Sequence, residues 1–198
     1  RGATVNAIRQ GYQNLVSNGY YLDYLLSSIN HYKIDPTRDV ELSVLSDKQK
    51  NSILGGEACM WSEYITQHTV DSRIWPRALA VAERLWSPPS ITNQSFLYER
   101  LFRMSHLLHT MQTGVTHLSS YKHRLENLII DPYKKRNLFH PFIILADVCE
   151  ALGIGHRSNA RRYSANISLT TFADALQPES EFISKLQNVP INDKLFRD

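Results

Sequence analysis

Apolar positions along the chain change their rhythm near residue 88, from short runs of strand length to helical spacings. Val5, Ile8 and Tyr12 recur at helical spacing and predict a helix over residues 2–11, with Gly11 placed to end it. Gln13–Ser17, centred on Leu15 and Val16, has strand length, and Ser17-Asn18-Gly19 breaks it. A second run from Ile53 through Gly55-Gly56 predicts a buried strand continuing to Glu63. Side chains alternate along a strand, so Glu57, Cys59, Trp61 and Glu63 share one face, and Tyr21 and Asp23 point the same way after the first strand. Asp71-Ser72 then starts a helix with Pro76 in its first turn and Ala78, Val81, Ala82 and Leu85 on its inward stripe. Between the two units lies a long polar connection, 25–52, in which Ser46-x-x-Gln49 reads as a capping box.

From Pro88-Pro89 onwards the pattern is helical. Ser95 is placed to cap a helix carrying Leu97, Leu101, Met104, Leu108 and Met111, with Gly114 at its end. A second helix is predicted over 117–130, stopped by Asp131-Pro132, and a third from His140 or Pro141 to Leu152, with Phe142, Leu145, Val148 and Leu152 inward. After a polar, arginine-bearing connection, Thr171–Leu176 and Pro178–Leu186 read as two short helices. The chain therefore divides into residues 1–88, of β/α character, and a helical extension, 89–198.

With 198 residues, 42% of them hydrophobic, the chain can build one domain or a domain with an annex. A formal net charge of +3, without a basic stripe, argues against nucleic acid. No stretch of about 20 apolar residues is present to span a membrane. Opening at Arg1 rather than methionine, the chain reads as a piece of a longer one. Cys59 and Cys149 lie far apart and read as two buried thiols, which leaves the compartment open. Asn93-Gln94-Ser95 and Asn166-Ile167-Ser168 fit the short glycosylation pattern.

The chemistry concentrates where ligands bind in β/α folds, at the carboxyl ends of the strands. Trp61-x-Glu63 pairs a flat aromatic with an anionic acceptor, a combination that suits a sugar: axial hydrogens stack on the ring and hydroxyls donate to the carboxylate. Tyr21-x-Asp23 repeats the device one unit earlier. The same residues also fit a buried tryptophan beside a surface glutamate. Asp23 and Glu63 are expected in a wet site that keeps them ionised, as readers of hydroxyls rather than acid/base groups. Glu57 reads as a buried acid paired with a neighbouring cation, Arg77, Glu83 and Arg84 as an ion-pair network, and Arg157, Arg161 and Arg162 as a solvated face. His106, His109 and His117 lack a third ligand at matching spacing, so neither a metal nor a cofactor is expected.

GGEACMWSEY, with DSRIWPRALAVAERLWS after it and GYYLDYL before it, resembles the end of the catalytic domain of family 20 glycoside hydrolases, the β-N-acetylhexosaminidases. The likeness spans about residues 1–110 and is strongest at 19–24 and 54–87. It implies an α/β chain holding the last two βα units of a (β/α)8 TIM barrel, followed by a mostly helical extension. By that resemblance Tyr21 hydrogen-bonds the acetamido oxygen of the substrate and stabilises an oxazolinium-like intermediate. Asp23 takes a hydroxyl near C6, Trp61 lies under the terminal sugar, and Glu63 holds the O4 and O6 hydroxyls. The implied substrates are glycans ending in N-acetylglucosamine or N-acetylgalactosamine, and the implied compartment is periplasmic or secreted. The Asp-Glu pair that performs proton transfer belongs to an earlier strand and has no counterpart in this sequence, so the chain is expected to be inactive alone. Unpaired strand edges predict self-association. A non-catalytic carbohydrate-binding or helical interaction module is the alternative from a different class.

Overall fold

The computed structural model describes residues 2–187 except 39, 92, 130–138, 160–163 and 165. Helix α1 (Gly2–Arg9) leads into β1 (Asn14–Val16), a 3-10 turn (Leu22–Tyr24) and α2 (Ser28–Tyr32). A second 3-10 turn (Val40–Val44) and α3 (Asp47–Lys50) precede β2 (Ile53–Gly56). The polar connection 25–52 is thus largely helical. Its capping box is formed, Ser46 Oγ accepting from the Gln49 amide while the Gln49 side chain accepts from the Ser46 amide.

The strands pair in parallel, Asn14 with Ile53, Leu15 with Gly55 and Val16 with Gly56, with an irregularity between Asn14 and Leu15. Gly55, at φ +144°, takes up that irregularity in a backbone region closed to residues with a Cβ. Gly56 is required for a different reason. A Cβ there would meet the Val16 carbonyl oxygen at 2.7 Å and the Tyr20 ring at 2.8 Å. The ladder resumes beyond the strands, where the Leu22 amide donates to Cys59 O and the Cys59 amide to Tyr20 O. That late rung carries the pairing up to the residues that carry the chemistry.

After β2 the chain enters α4 (Val70–Ile74) and α5 (Arg77–Trp86), separated at Trp75-Pro76. Pro76 therefore splits the predicted helix and stands at the cap position of the second piece. The buried stripe of α5 is Arg77, Ala80, Val81 and Arg84, while Ala82 is exposed. Two arginines occupy a face that polarity assigns to solvent. Arg77 donates to the carbonyls of Leu22, Leu26 and Arg73, and Arg84 to those of Ile34 and Ile91 and to the Asp35 carboxylate. Of the expected ion-pair network, Arg84–Asp35 and Glu83–Arg100 are formed, and Arg77 works through carbonyls instead.

The extension consists of α6 (Leu97–Thr110), α7 (His117–Leu128), α8 (Phe139–Asp147), α9 (Ile154–Asn159), α10 (Phe172–Ala175) and α11 (Glu181–Gln187). Phe96, not Ser95, holds the cap position of α6, and Met104 and Met111 are exposed while Phe102 and Ser105 are buried. Helix α8 is shorter than its pattern predicts, and Leu145, Val148 and Leu152 are exposed, because Phe142, Ile143 and Ala146 face the core. The predicted stop at Asp131-Pro132 lies outside the described residues.

Among the described residues four apolar clusters hold the molecule together. One joins α1 to β2 through Val5, Ile8 and Ile53, and another sets Tyr20 and Leu22 against Val81. A third packs Tyr32 and Ala80 on Leu97 and Leu101, so α6 docks on the α2–α5 layer. The last unites α7, α8 and α10 around Tyr121, Leu125 and Ala146. Extension and β/α part also share buried polar contacts. Glu179 accepts from the Ser28 amide at 2.6 Å, from the Ser28 hydroxyl and from Tyr98 Oη, and Arg73 donates to the carbonyls of Asp174 and Leu176.

Candidate functional site

Tyr21, Asp23, Trp61 and Glu63 come together just beyond the carboxyl ends of β1 and β2, although not by the alternation of extended strands. Leu22–Tyr24 is a 3-10 turn that carries Asp23 inward, and the chain after Cys59 leaves the sheet. Ser62 (φ 72°) and Tyr64 (φ 56°) adopt left-handed backbone on either side of Glu63. Each such residue costs roughly 1 kcal/mol or more, so neighbouring contacts must hold this loop in shape.

The Tyr21 and Trp61 rings meet edge to face at 6.3 Å, and Tyr24 meets Tyr21 edge to face at 5.7 Å. Trp61 remains 63% exposed, a platform open to solvent beside its ring partner. Its amide donates to Asp23 Oδ1 at 3.4 Å, tying the two loops together. Asp23 is only 2% exposed, which corrects the expectation of a wet site, and its Oδ2 is buried without a hydrogen-bond partner. Glu63 stands exposed beside it. The Glu63 carboxyl is pushed above the usual carboxylate range, first because its protonated form can hydrogen-bond the Asp23 carboxylate, and also because the two like charges repel. Glu63 thus offers its oxygens to donating hydroxyls in water, with the Asp23 carboxylate buried behind it, beside a ring able to stack on a sugar face.

Other candidate groups fall elsewhere. Glu57 is exposed rather than buried, because the strand ends at Gly56 and the side chain turns out to solvent. Cys59 and Cys149 are half-buried free thiols. His106 contacts Glu181, and His117 shares a hydrogen bond with Ser105 in the core. Among the described residues no group of three His, Cys, Asp or Glu could hold a metal ion. A cleft of about 340 Å³ between α6, α7, α8 and α11 also holds aromatic and acidic side chains, but there Tyr121 Oη already donates to Asp147, and Glu181 is paired with His106 and Lys185.

Sequence reasoning missed two participants. Arg73, buried behind the site, lines the hollow together with Asp23, Glu63, Tyr64 and Arg157. Arg157 is buried with its guanidinium 4.8 Å from the Tyr64 ring centroid and ion-paired to Asp174, not part of a solvated face. Arg161 and Arg162 lie outside the described residues. Arg157 stands in a polar stretch between His156 and Ser158, which carries no signal of burial.

Residues 2–89 match the family model described as glycosyl hydrolase family 20, catalytic domain. Beta-hexosaminidase subunit beta of Rattus norvegicus is 44% identical over 94 residues, 46% of this chain and 17% of that protein. Beta-hexosaminidase subunit A1 of Dictyostelium discoideum is 37% identical over 105 residues, 48% of this chain and 19% of that protein. Among solved structures, a chitobiase from Flavobacterium johnsoniae superposes with a TM-score of 0.76 at 34% identity, covering 98% of this chain and 30% of that one. The chain thus spans less than a fifth of the length of these curated relatives, and its likeness to the chitobiase runs through the helical extension as well.

Proposed function

Because residues 2–89 match the family model of the glycosyl hydrolase family 20 catalytic domain, we propose that this chain is the carboxyl-terminal part of a β-N-acetylhexosaminidase and supplies sugar-binding residues to its active site. In this reading β1 and β2 are the last two strands of a (β/α)8 barrel, residues 1–88 complete the catalytic domain, and 89–198 form its helical extension. The substrates are glycans ending in N-acetylglucosamine or N-acetylgalactosamine, and no cofactor is needed.

The grouping of Tyr21, Asp23, Trp61 and Glu63 beyond the strand ends carries the proposal: the Trp61 ring meets the Tyr21 ring, its amide donates to Asp23, and Asp23 and Glu63 line one small hollow. Trp61 stacks under the terminal ring, and its exposure leaves that face free. Glu63, exposed beside the buried Asp23, takes hydroxyl donors, and hydrogen bonds donated there relieve the repulsion between the two acids. Tyr21 reaches the acetamido oxygen. In substrate-assisted hydrolysis that oxygen attacks the anomeric carbon as the glycosidic bond breaks, and a hydrogen bond to it strengthens as charge develops. The proton for the leaving oxygen comes from an acid outside this chain.

The test uses the full-length protein and a chromogenic N-acetylglucosaminide. Trp61→Ala and Glu63→Gln should each lower kcat/KM by about tenfold to a hundredfold, since each leaves sugar groups unmatched in the transition state. The 198-residue chain by itself should show no rate. Unchanged kinetics in both variants would remove the reading. Sugar binding by the full-length protein without cleavage would favour a non-catalytic carbohydrate-binding module.

A further inference from the structure

The loop that presents Trp61 and Glu63 is braced from the helical extension. Ser62 and Tyr64, neither of them glycine, hold left-handed backbone on both sides of Glu63. Such a conformation persists where the surroundings determine it. The brace on one side is visible: the Arg157 guanidinium lies 4.8 Å from the centre of the Tyr64 ring. Arg157 is fixed in turn by an ion pair with Asp174 and by its Nε, which donates to Leu152 O at 3.4 Å. Asp174 is itself immobilised. Its carboxylate accepts from the Thr171 amide at 3.1 Å and from the Thr171 hydroxyl at 2.5 Å, and its carbonyl accepts from Arg73 at 2.9 Å.

The approach to the other half of the site is equally tight. A Cβ on Gly153 would stand 2.5 Å from Tyr24 O and 3.4 Å from Leu25 Cβ, so the chain leading into α9 lies directly on the turn that carries Asp23. The segment from Gly153 to Arg157 therefore touches both loops of the hollow, and Arg157 lines it with Asp23 and Glu63.

We propose that Arg157 is a positioning residue for the terminal-sugar subsite: gripping the Tyr64 ring on one side and anchored by Asp174 on the other, it sets where Trp61 and Glu63 stand. The guanidinium suits this because it is planar, stacks on a ring face and still presents N–H donors at its edge to a carboxylate. A lysine ammonium can meet either partner as a point charge but cannot lie flat on one while forking to the other. The inference rests on the sugar-site reading above and adds a residue from the extension to it.

The experiment measures KM and kcat of the full-length enzyme on a chromogenic N-acetylglucosaminide, together with the unfolding temperature of each variant. Arg157→Ala strands the Asp174 carboxylate in the interior and risks the fold, so the informative variants are Arg157→Lys, Tyr64→Leu and Tyr64→Phe. Arg157→Lys and Tyr64→Leu should raise KM by about five- to tenfold while kcat changes by less than about twofold, a loss of binding without a loss of chemistry. Tyr64→Phe keeps the ring face and should behave as wild type. The Glu63→Gln penalty should also shrink in the Arg157→Lys background, because both changes act on the same contact. Unchanged KM in Arg157→Lys and Tyr64→Leu, with activity merely following the folded fraction, would reduce Arg157 to a staple of the extension and overturn the inference. Should Trp61→Ala and Glu63→Gln both have no effect in the wild-type background, the sugar-site reading itself fails, whatever Arg157 does.

Discussion

Among the described residues five arginines, Arg73, Arg77, Arg84, Arg124 and Arg157, are buried, and most of the hydrogen bonds they donate go to main-chain carbonyls. Burial lowers Arg77 to about 10, opposed by the nearby Glu179 and Asp23, and lowers Arg73 to about 9, helped by Arg124 and Arg77. Both remain charged at neutral pH. These side chains explain the main failure of polarity as a guide: an arginine on a helical stripe reads as solvent-facing, yet a carbonyl-rich loop underneath makes it an inward residue. The same surroundings act on His31, buried between Gly19 and Arg77. Its pKa falls to about 4, through burial first and the Arg77 charge next, against the hydrogen bond to Gly19 O. The fold therefore keeps His31 neutral. As pH falls below the unfolded value near 6.5, the unfolded chain takes up a proton that the folded one refuses, so stability drops until about pH 4 and then levels. Up to ~3 kcal/mol is lost across that window. Urea midpoints measured from pH 7 to pH 4 should show the slope; burial lowers His117 to about 4 as well, so His31→Gln should lessen the slope and leave the His117 share.

At the scale of elements, most helices and both strands were legible, because short apolar runs, glycine stops and the Ser46–Gln49 box are local signals. The exceptions have physical causes. Residues 57–63 read as extended, but the chain turns through left-handed Ser62 and Tyr64 without a glycine or proline to announce it. The turn is stabilised by distant contacts, which a local pattern does not contain. The candidate site was likewise legible as residue types and not as geometry: aromatic and acid stood two apart, whereas the buried Asp23 and the exposed Glu63 depend on how two loops fold back. Gly56 makes the packing of the β1–β2 pair testable. Alanine there would press on Val16 O, the Tyr20 ring and, at 3.2 Å, Leu85 Cδ2, and the first of these is backbone that cannot rotate aside. Gly56→Ala should cost about 1–3 kcal/mol by chemical denaturation. A gain in stability would mean that α5 yields more easily than the contacts suggest.

As a whole, the molecule joins a two-stranded parallel sheet to helices that pack against it in one interlocked body. The sheet leaves large apolar side chains in solvent, Leu15 at 58% and Leu54 at 60% exposure. Two parallel strands with open edges and apolar side chains in water invite pairing with further strands. The isolated 198-residue chain should therefore self-associate in sedimentation experiments, and Leu54→Lys should shift it towards monomer. A monodisperse monomer of the unchanged chain would show that the edges are shielded some other way.

The clasp between Ser28 and Glu179 bridges 151 positions of sequence. The amide at the start of α2 has no helical carbonyl of its own to bond, and the carboxylate that receives it is made near the far end of the extension. On the ribosome, this corner next to the Asp23 turn thus stays unsealed until Glu179, 151 positions later, has emerged.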